Sequence, residues 1–231
     1  MINYEDFDAL TFDCYGTLID WESGILAGLK VALGSGIETK SDADLLASFA
    51  HHEHVAEVPY KNYREVLGLT LRLLAGELGL EVSPEQEAQF GASVLDWPAF
   101  PDSHDALASL QKRYKLVVIT NCDDDLFAAS AARLGITFDE VITAAQVGSY
   151  KPNIENFHFA HEKIQRNLGI SKDRILHVAQ SMFHDHAPAK SIGMTTVHIK
   201  RRGNGAAPQA SAAPDSVFPD MKSFAESVTE F

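Results

Sequence analysis

Apolar and polar positions alternate in three regimes along the chain. The first is the run Leu10-Thr11-Phe12-Asp13-Cys14-Tyr15-Gly16-Thr17-Leu18-Ile19-Asp20. It reads as a buried strand that delivers one carboxylate, Asp13, onto a tight turn beside a glycine. From Trp21 to about Trp97 the spacing becomes helical, with few β-branched runs and loop signals at Gly34-Ser35-Gly36 and Val58-Pro59, which predicts four helices. The clearest runs from Tyr60 to Leu78, where Tyr63, Val66, Leu67, Leu71, Leu74 and Leu78 recur near the helical period. Ser83-Pro84-Glu85-Gln86-Glu87 opens the next, with serine suited to the N-cap, proline to the first helical position and acids to the first turn.

The third regime begins at Trp97-Pro98-Ala99-Phe100-Pro101-Asp102, where two prolines mark the return from the helical segment. Strands are predicted at Leu116 to Thr120, Glu140 to Thr143, Ile175 to Ala179 and Thr195 to Ile199, separated by helices starting near Ser103, Asp124, Ile154 and Ala187. Such alternation implies an α/β protein with a parallel sheet covered on both faces. The simplest architecture is a doubly wound core of residues 1–20 and 98–231, with residues 21–97 inserted after the first strand as a helical cap. Gly203 to Pro214 reads as a small-residue surface loop with no assigned role.

Composition narrows the partners. The chain has 231 residues, 45% of them hydrophobic, enough to bury a substantial core. A net charge of -13 argues against a nucleic-acid partner, because a phosphate backbone rewards clustered lysine and arginine. No apolar run approaches the roughly 20 residues that span a bilayer. The acidic N-terminal stretch lacks the features of a signal peptide, so a cytoplasmic protein with no membrane partner is expected. The two cysteines, Cys14 and Cys122, are then expected to be reduced thiols.

In an open α/β sheet, ligands bind outside the carboxyl ends of the strands. The residues just after each predicted strand are Asp13, then Thr120 and Asn121, then Lys151 on Gly148-Ser149-Tyr150-Lys151-Pro152-Asn153, then Asp185. Singly each has an ordinary explanation as a helix cap, a turn residue or a solvated lysine. Jointly, in this order, they resemble the haloacid dehalogenase superfamily of aspartate-nucleophile hydrolases, along essentially the whole chain. The resemblance implies a Rossmann-like core with an inserted cap. It identifies Asp13 as the nucleophile, Thr120 as the second-motif hydroxyl, Lys151 as the third-motif lysine and Asp185 as the fourth-motif acid.

Asp13-Cys14-Tyr15-Gly16-Thr17 resembles the type II L-2-haloacid dehalogenase form, in which a tyrosine stands where phosphatases of the superfamily carry a second aspartate. Val178-Ala179-Gln180-Ser181-Met182-Phe183-His184-Asp185-His186 and Ile119-Thr120-Asn121-Cys122-Asp123 resemble the L-azetidine-2-carboxylate hydrolases. The implied reaction is hydrolysis at C2 of a small, anionic 2-substituted carboxylic acid through an aspartyl ester, by 2-haloacid dehalogenation or azetidine ring opening. Thr17 and Thr120 would orient carboxylates, and Lys151 would keep Asp13 ionised. Asp185 would hold Lys151 or help activate water. Tyr15, Trp21, Asn121, Ser181, Phe183 and His184 are the candidate substrate contacts. No cofactor or metal is required; Mg²⁺ enters only in the alternative of a phosphatase acting on a small phosphate ester with a displaced general acid, since Tyr15, with an ordinary pKa of about 10, cannot replace a carboxylic acid near neutral pH. A homodimer is the assembly the resemblance suggests.

Several positions depart from the dehalogenase pattern. The early cap helix reads Leu46-Ala47-Ser48-Phe49-Ala50-His51-His52-Glu53-His54, without the arginine that receives halide, and Phe157 stands where a tyrosine usually follows the lysine. His51, His52 and His54 diverge around a helix and read as solvated or packed histidines rather than metal ligands. His184 and His186 flank Asp185 as hydrogen-bond partners, acid/base groups or loop packing. Trp21 and Phe183 line an apolar wall or pack the core. Arg201 and Arg202 either attract an anionic substrate or form a solvated charged loop.

Overall fold

In a computed structural model the chain is described over residues 2–201 and 210–229. Six strands form one parallel sheet: β1 (Ala9–Phe12), β2 (Lys115–Thr120), β3 (Glu140–Thr143), β4 (Ile175–Ala179), β5 (Thr195–Ile199) and β6 (Ser216–Phe218), in the order β3-β2-β1-β4-β5-β6. The first strand is central. Leu10 aligns with Leu116 of β2 and Leu176 of β4, so the strand after which the chain departs is the one both halves are built around.

Alternation along the strands explains why both faces are covered. Leu10, Phe12, Leu116, Val118, Leu176 and Val178 point into one core with Leu107, Leu110 and Phe224. Ala9, Val117, Ile119 and Ile175 belong to a second core with Phe157, Ala160 and Ile164. The first is closed by α5 (Ser103–Leu110) and α10 (Met221–Thr229), the second by α8 (Glu155–Leu168). Each fully buried leucine or phenylalanine contributes about 1.5–3 kcal/mol relative to an exposed one, so this period-two pattern fixes the sheet as doubly wound. Three further helices complete the core: α6 (Asp124–Leu134), α7 (Ala144–Val147) and α9 (Ala187–Ser191).

Between β1 and α5 lie four helices, α1 (Trp21–Leu33), α2 (Asp42–Ala56), α3 (Tyr63–Glu77) and α4 (Pro84–Gly91). The third begins at Tyr63 because the Asn62 side chain accepts the Glu65 N–H and stops the helix there. The fourth carries a capping box between Ser83 and Gln86. Gly24 on α1 lies flat against the ring of Trp97: a Cβ there would come within 2.3 Å of the indole, which makes glycine a requirement of the contact. Gly16, with φ of 98°, lets the chain turn sharply after Asp13.

The sequence pattern missed β6 and α10. A three-residue edge strand carries no readable periodicity, and its signal lies just beyond the small-residue loop. Residues 203–209 of that loop, and Arg202, lie outside the described residues. Among the described residues no helix is long and apolar enough to cross a membrane.

Candidate functional site

The turn after β1 holds Asp13 from two sides. Thr17 Oγ1 donates to Asp13 Oδ2 at 2.7 Å, and the same hydroxyl accepts the Gln180 backbone N–H at 2.9 Å, so its proton is directed at the carboxylate. Lys151 Nζ donates to Asp13 Oδ1 at 2.9 Å, to Asp185 Oδ1 at 2.7 Å and to the Ile119 carbonyl at 2.9 Å. All three ammonium hydrogens are therefore used inside the protein. Lys151 is 1% exposed and Asp185 fully buried, so the ion pairs operate with little screening.

These neighbours set the charge states. Burial disfavours ionisation of Asp185, but Lys151 and a hydrogen bond to His177 outweigh it and hold its carboxyl below the ordinary carboxylate range. Burial and the charge of Asp185 push Asp13 up, against the attraction of Lys151 and the hydrogen bond from Thr17. Burial also opposes the Lys151 ammonium, yet the two aspartates raise its pKa and keep it charged. Behind Asp185 stands a residue that sequence reasoning did not find. His177 Nε2 lies 3.2 Å from Asp185 Oδ1 while its Nδ1 lies 2.9 Å from Thr11 Oγ1, so a buried chain runs from Thr11 on β1 through His177 on β4 to Asp185, which shares Lys151 with Asp13. Inside an apolar strand run, a lone histidine gives no sequence signal.

Asp13 opens into a cavity of about 100 Å³. At the roughly 30 Å³ that a water occupies in the liquid, that is room for about three waters, the scale of a small substrate. The cavity is lined by strand-end residues Tyr15, Asn121, Lys151, Gln180, Ser181, His184 and Asp185, and by Trp21, Glu53, His54, Glu57, Tyr63 and Trp97 from the inserted segment and its exit. Burial pushes Glu53 to about 7, despite a 2.7 Å hydrogen bond from Tyr63 Oη, and burial together with Glu53 pushes Glu57 to about 8. Sequence reasoning passed over both acids. Their burial depends on Tyr63 and the α3 helix arriving beside α2, a tertiary event.

The structure brings most of the predicted residues together and redirects several. Trp21, Ser181 and His184 line the cavity; burial lowers His184 to about 4, so it is neutral at pH 7, and its Nδ1 lies 3.2 Å from Ser181 Oγ. Asn121 also lines the cavity, but its side chain is committed: Oδ1 accepts the Lys151 N–H at 2.7 Å and Nδ2 donates to the Lys151 carbonyl at 3.0 Å. It clasps the lysine loop instead of offering its amide to a ligand. Thr120 is buried with Oγ1 unpartnered among the described residues, and it is not on the cavity lining. Phe183 also stays off the lining: in the π-helical turn Met182–His186 its ring meets His184 edge-to-face. His186 is buried against His198 and the Ala179 carbonyl, which makes it packing. Arg201 is not a substrate anchor: it pairs with Asp102 at 2.8 Å and donates to the Thr17 carbonyl, bracing the turn that carries Asp13.

Tyr15 contributes its ring to the cavity and stacks edge-on with Trp97, but its hydroxyl turns away toward Ser130 Oγ (3.0 Å) and Cys122 Sγ (3.3 Å). Burial raises the phenol well above its ordinary value, so it cannot supply a proton in place of a carboxylic acid. Tyr15→Phe is accordingly expected to cost about 1 kcal/mol of stability in a urea melt, the worth of one hydrogen bond, while kcat stays within about threefold of wild type. A loss of activity larger than the loss of stability would place the hydroxyl in the reaction.

A divalent cation does not fit this donor set. Mg²⁺ requires near-octahedral oxygen coordination, whereas Asp13 and Asp185 each give one oxygen to Lys151 and Thr17 takes the other oxygen of Asp13, which leaves Asp185 Oδ2 as the single unpartnered carboxylate oxygen of the pair among the described residues. Among the described residues no group of three or more His, Cys, Asp or Glu is arranged to hold a metal. His52 is taken up by Glu77 at 2.8 Å, away from any such cluster.

Comparison with known proteins adds an independent line. The haloacid dehalogenase-like hydrolase family matches residues 7–193. An (S)-2-haloacid dehalogenase of Pseudomonas putida is 24% identical over 224 residues, covering 92% of each chain. A glyceraldehyde 3-phosphate phosphatase of Methanothermobacter thermautotrophicus is 35% identical, over only 43% of this chain and 44% of its own. Among solved structures, an L-2-haloacid dehalogenase from Xanthobacter autotrophicus with chloropropionic acid covalently bound superposes with a TM-score of 0.80 at 21% identity, covering 96% of this chain and 98% of that one.

Proposed function

The chain belongs to the haloacid dehalogenase-like hydrolase family, and from that premise we propose that it hydrolyses small 2-substituted carboxylic acids at C2 through an ester on Asp13. The observation that carries this reading is the setting of Asp13: a carboxylate fixed by Thr17 and Lys151 at the base of a small cavity, with no acid two residues on to protonate a phosphate ester's leaving group. An Asp13 oxygen attacks C2. The bond from C2 to the leaving group breaks, and its electron pair goes to a halide, which departs, or to a strained ring nitrogen that enters protonated and becomes a neutral amine still tethered to the substrate. Water then attacks the Asp13 carbonyl carbon, the 2-hydroxy acid is released, the carboxylate is restored, and the proton given up by water passes to solvent in the halide reaction or to the freed amine in ring opening. Asp185, kept ionised, orients that water through Oδ2, which has no hydrogen-bond partner among the described residues. No cofactor enters either step.

In this reading residues 21–97 serve as a cap over a core of residues 1–20 and 98–231. The buried, unpaired thiols of Cys14 and Cys122 support a cytoplasmic setting, and a homodimer is the assembly proposed. The test is incubation with 2-chloropropionate, azetidine-2-carboxylate and p-nitrophenyl phosphate, each in EDTA and in Mg²⁺. Formation of a hydroxy acid from one of the first two, undiminished by EDTA, is expected. Mg²⁺-dependent phosphate release as the sole activity would overturn the reading.

A further inference from the structure

Two acids share the cavity with Asp13 and take no part in forming or breaking the ester. Glu53 lies on α2 and Glu57 caps its end, four residues on, so both carboxylates emerge on one side of the helix. Their placement works against stability. Glu57 sits where the helix dipole disfavours negative charge, Glu53 is its immediate neighbour, and both are partly withdrawn from water. A structural acid in such a position would be expected to have a basic partner. Among the described residues Glu53 accepts only from Tyr63, and the Glu57 side chain makes no hydrogen bond or ion pair.

The rest of the cavity points the same way. Among the described residues Lys151 is the sole lysine or arginine on its lining, and its three hydrogens are already used. Trp21, Trp97 and Tyr63 supply aromatic surface, whose faces attract cations. Independently, Asp185 Oδ2 is a buried carboxylate oxygen on the same lining with no hydrogen-bond partner among the described residues. A departing halide would be repelled by these carboxyls wherever they are ionised; a protonated amine would draw the raised Glu53 and Glu57 into their charged form and meet opposite charge.

We propose that Glu53 and Glu57 form a cation subsite that selects, for attack by Asp13, small carboxylic acids bearing a protonated amine at the leaving position. The chemical step rests on the C2-hydrolase reading; the binding preference does not, and the two are tested separately.

Binding is measured by calorimetry on the full chain carrying Asp13→Asn, with azetidine-2-carboxylate and with cyclobutanecarboxylate, which has the same ring and carboxylate but no nitrogen. The amine is expected to bind at least about tenfold tighter. Adding Glu57→Gln is expected to bring that ratio to about one without weakening cyclobutanecarboxylate, and Glu57→Asp, which keeps the charge, is expected to retain the preference. A ratio near one in the Asp13→Asn protein, no binding of azetidine-2-carboxylate, or an equal loss for both ligands on Glu57→Gln overturns the subsite. If the amine preference depends on Glu57 while wild-type protein in heavy-oxygen water incorporates no label into Asp13, the subsite stands and the ester mechanism fails.

Discussion

Asp13→Asn is expected to lower kcat by about four orders of magnitude on whichever 2-substituted acid is turned over, with KM changed by no more than a few-fold. The amide is nearly isosteric with the carboxylate and can still accept from Lys151 or Thr17, so the fold and the cavity survive while the attacking charge is lost. Multiple-turnover incubation in heavy-oxygen water, followed by mass spectrometry of the peptide holding residue 13, reads the mechanism directly. Label is expected in wild-type Asp13, because water attacks the ester at the side-chain carbonyl; label passing straight into product from the first turnover would mean direct attack of water at C2. The same residue sets the acid limb of the pH profile. Burial and Asp185 raise the Asp13 carboxyl against the pull of Lys151 and Thr17, and only the ionised form attacks. Activity should therefore fall with decreasing pH at a midpoint above the ordinary carboxylate value of about 4.

The placement of Asp13 at the candidate site was legible in the sequence for a specific reason. Asp13, Thr120, Lys151 and Asp185 each follow an element whose apolar pattern is unambiguous, and a parallel sheet gathers its strand ends at one edge. Sequence order alone then implies proximity. What could not be read was what each polar side chain does on arrival. Asn121 and Arg201 have the chemistry to hold an anion, yet one is taken up by the Lys151 backbone and the other by Asp102 and the Thr17 carbonyl. These are tertiary choices between partners of similar strength, decided by angstroms. His177 was hidden by an apolar strand, and Glu53 and Glu57 by a helix whose histidines drew attention first. Their burial exists only once α3 packs beside α2 and brings Tyr63 to Glu53.

Lys151→Met should have the largest combined effect of any single substitution, because one ammonium neutralises two buried carboxylates. At pH 8 the variant is expected to lose about 3–5 kcal/mol of stability in a urea titration, the usual cost of leaving a buried charge without its partner, and at least about a thousandfold in kcat. The pH dependence separates this account from a simple packing defect. In wild type, the depressed Asp185 contributes stability that is present above the unfolded carboxylate pKa and lost as pH falls through its folded value. Without the lysine, burial dominates at both aspartates, and their folded pKa values rise above the unfolded ones. Stability is then greatest below the unfolded pKa and is lost as pH rises through the folded values. The two titration curves should converge as pH is lowered from 8 toward 5. Activity should not recover over that range, since the protonation that restores the fold also removes the attacking carboxylate. A deficit unchanged between pH 8 and 5 would instead assign the loss to imperfect packing of the methionine in the fully buried place of the lysine.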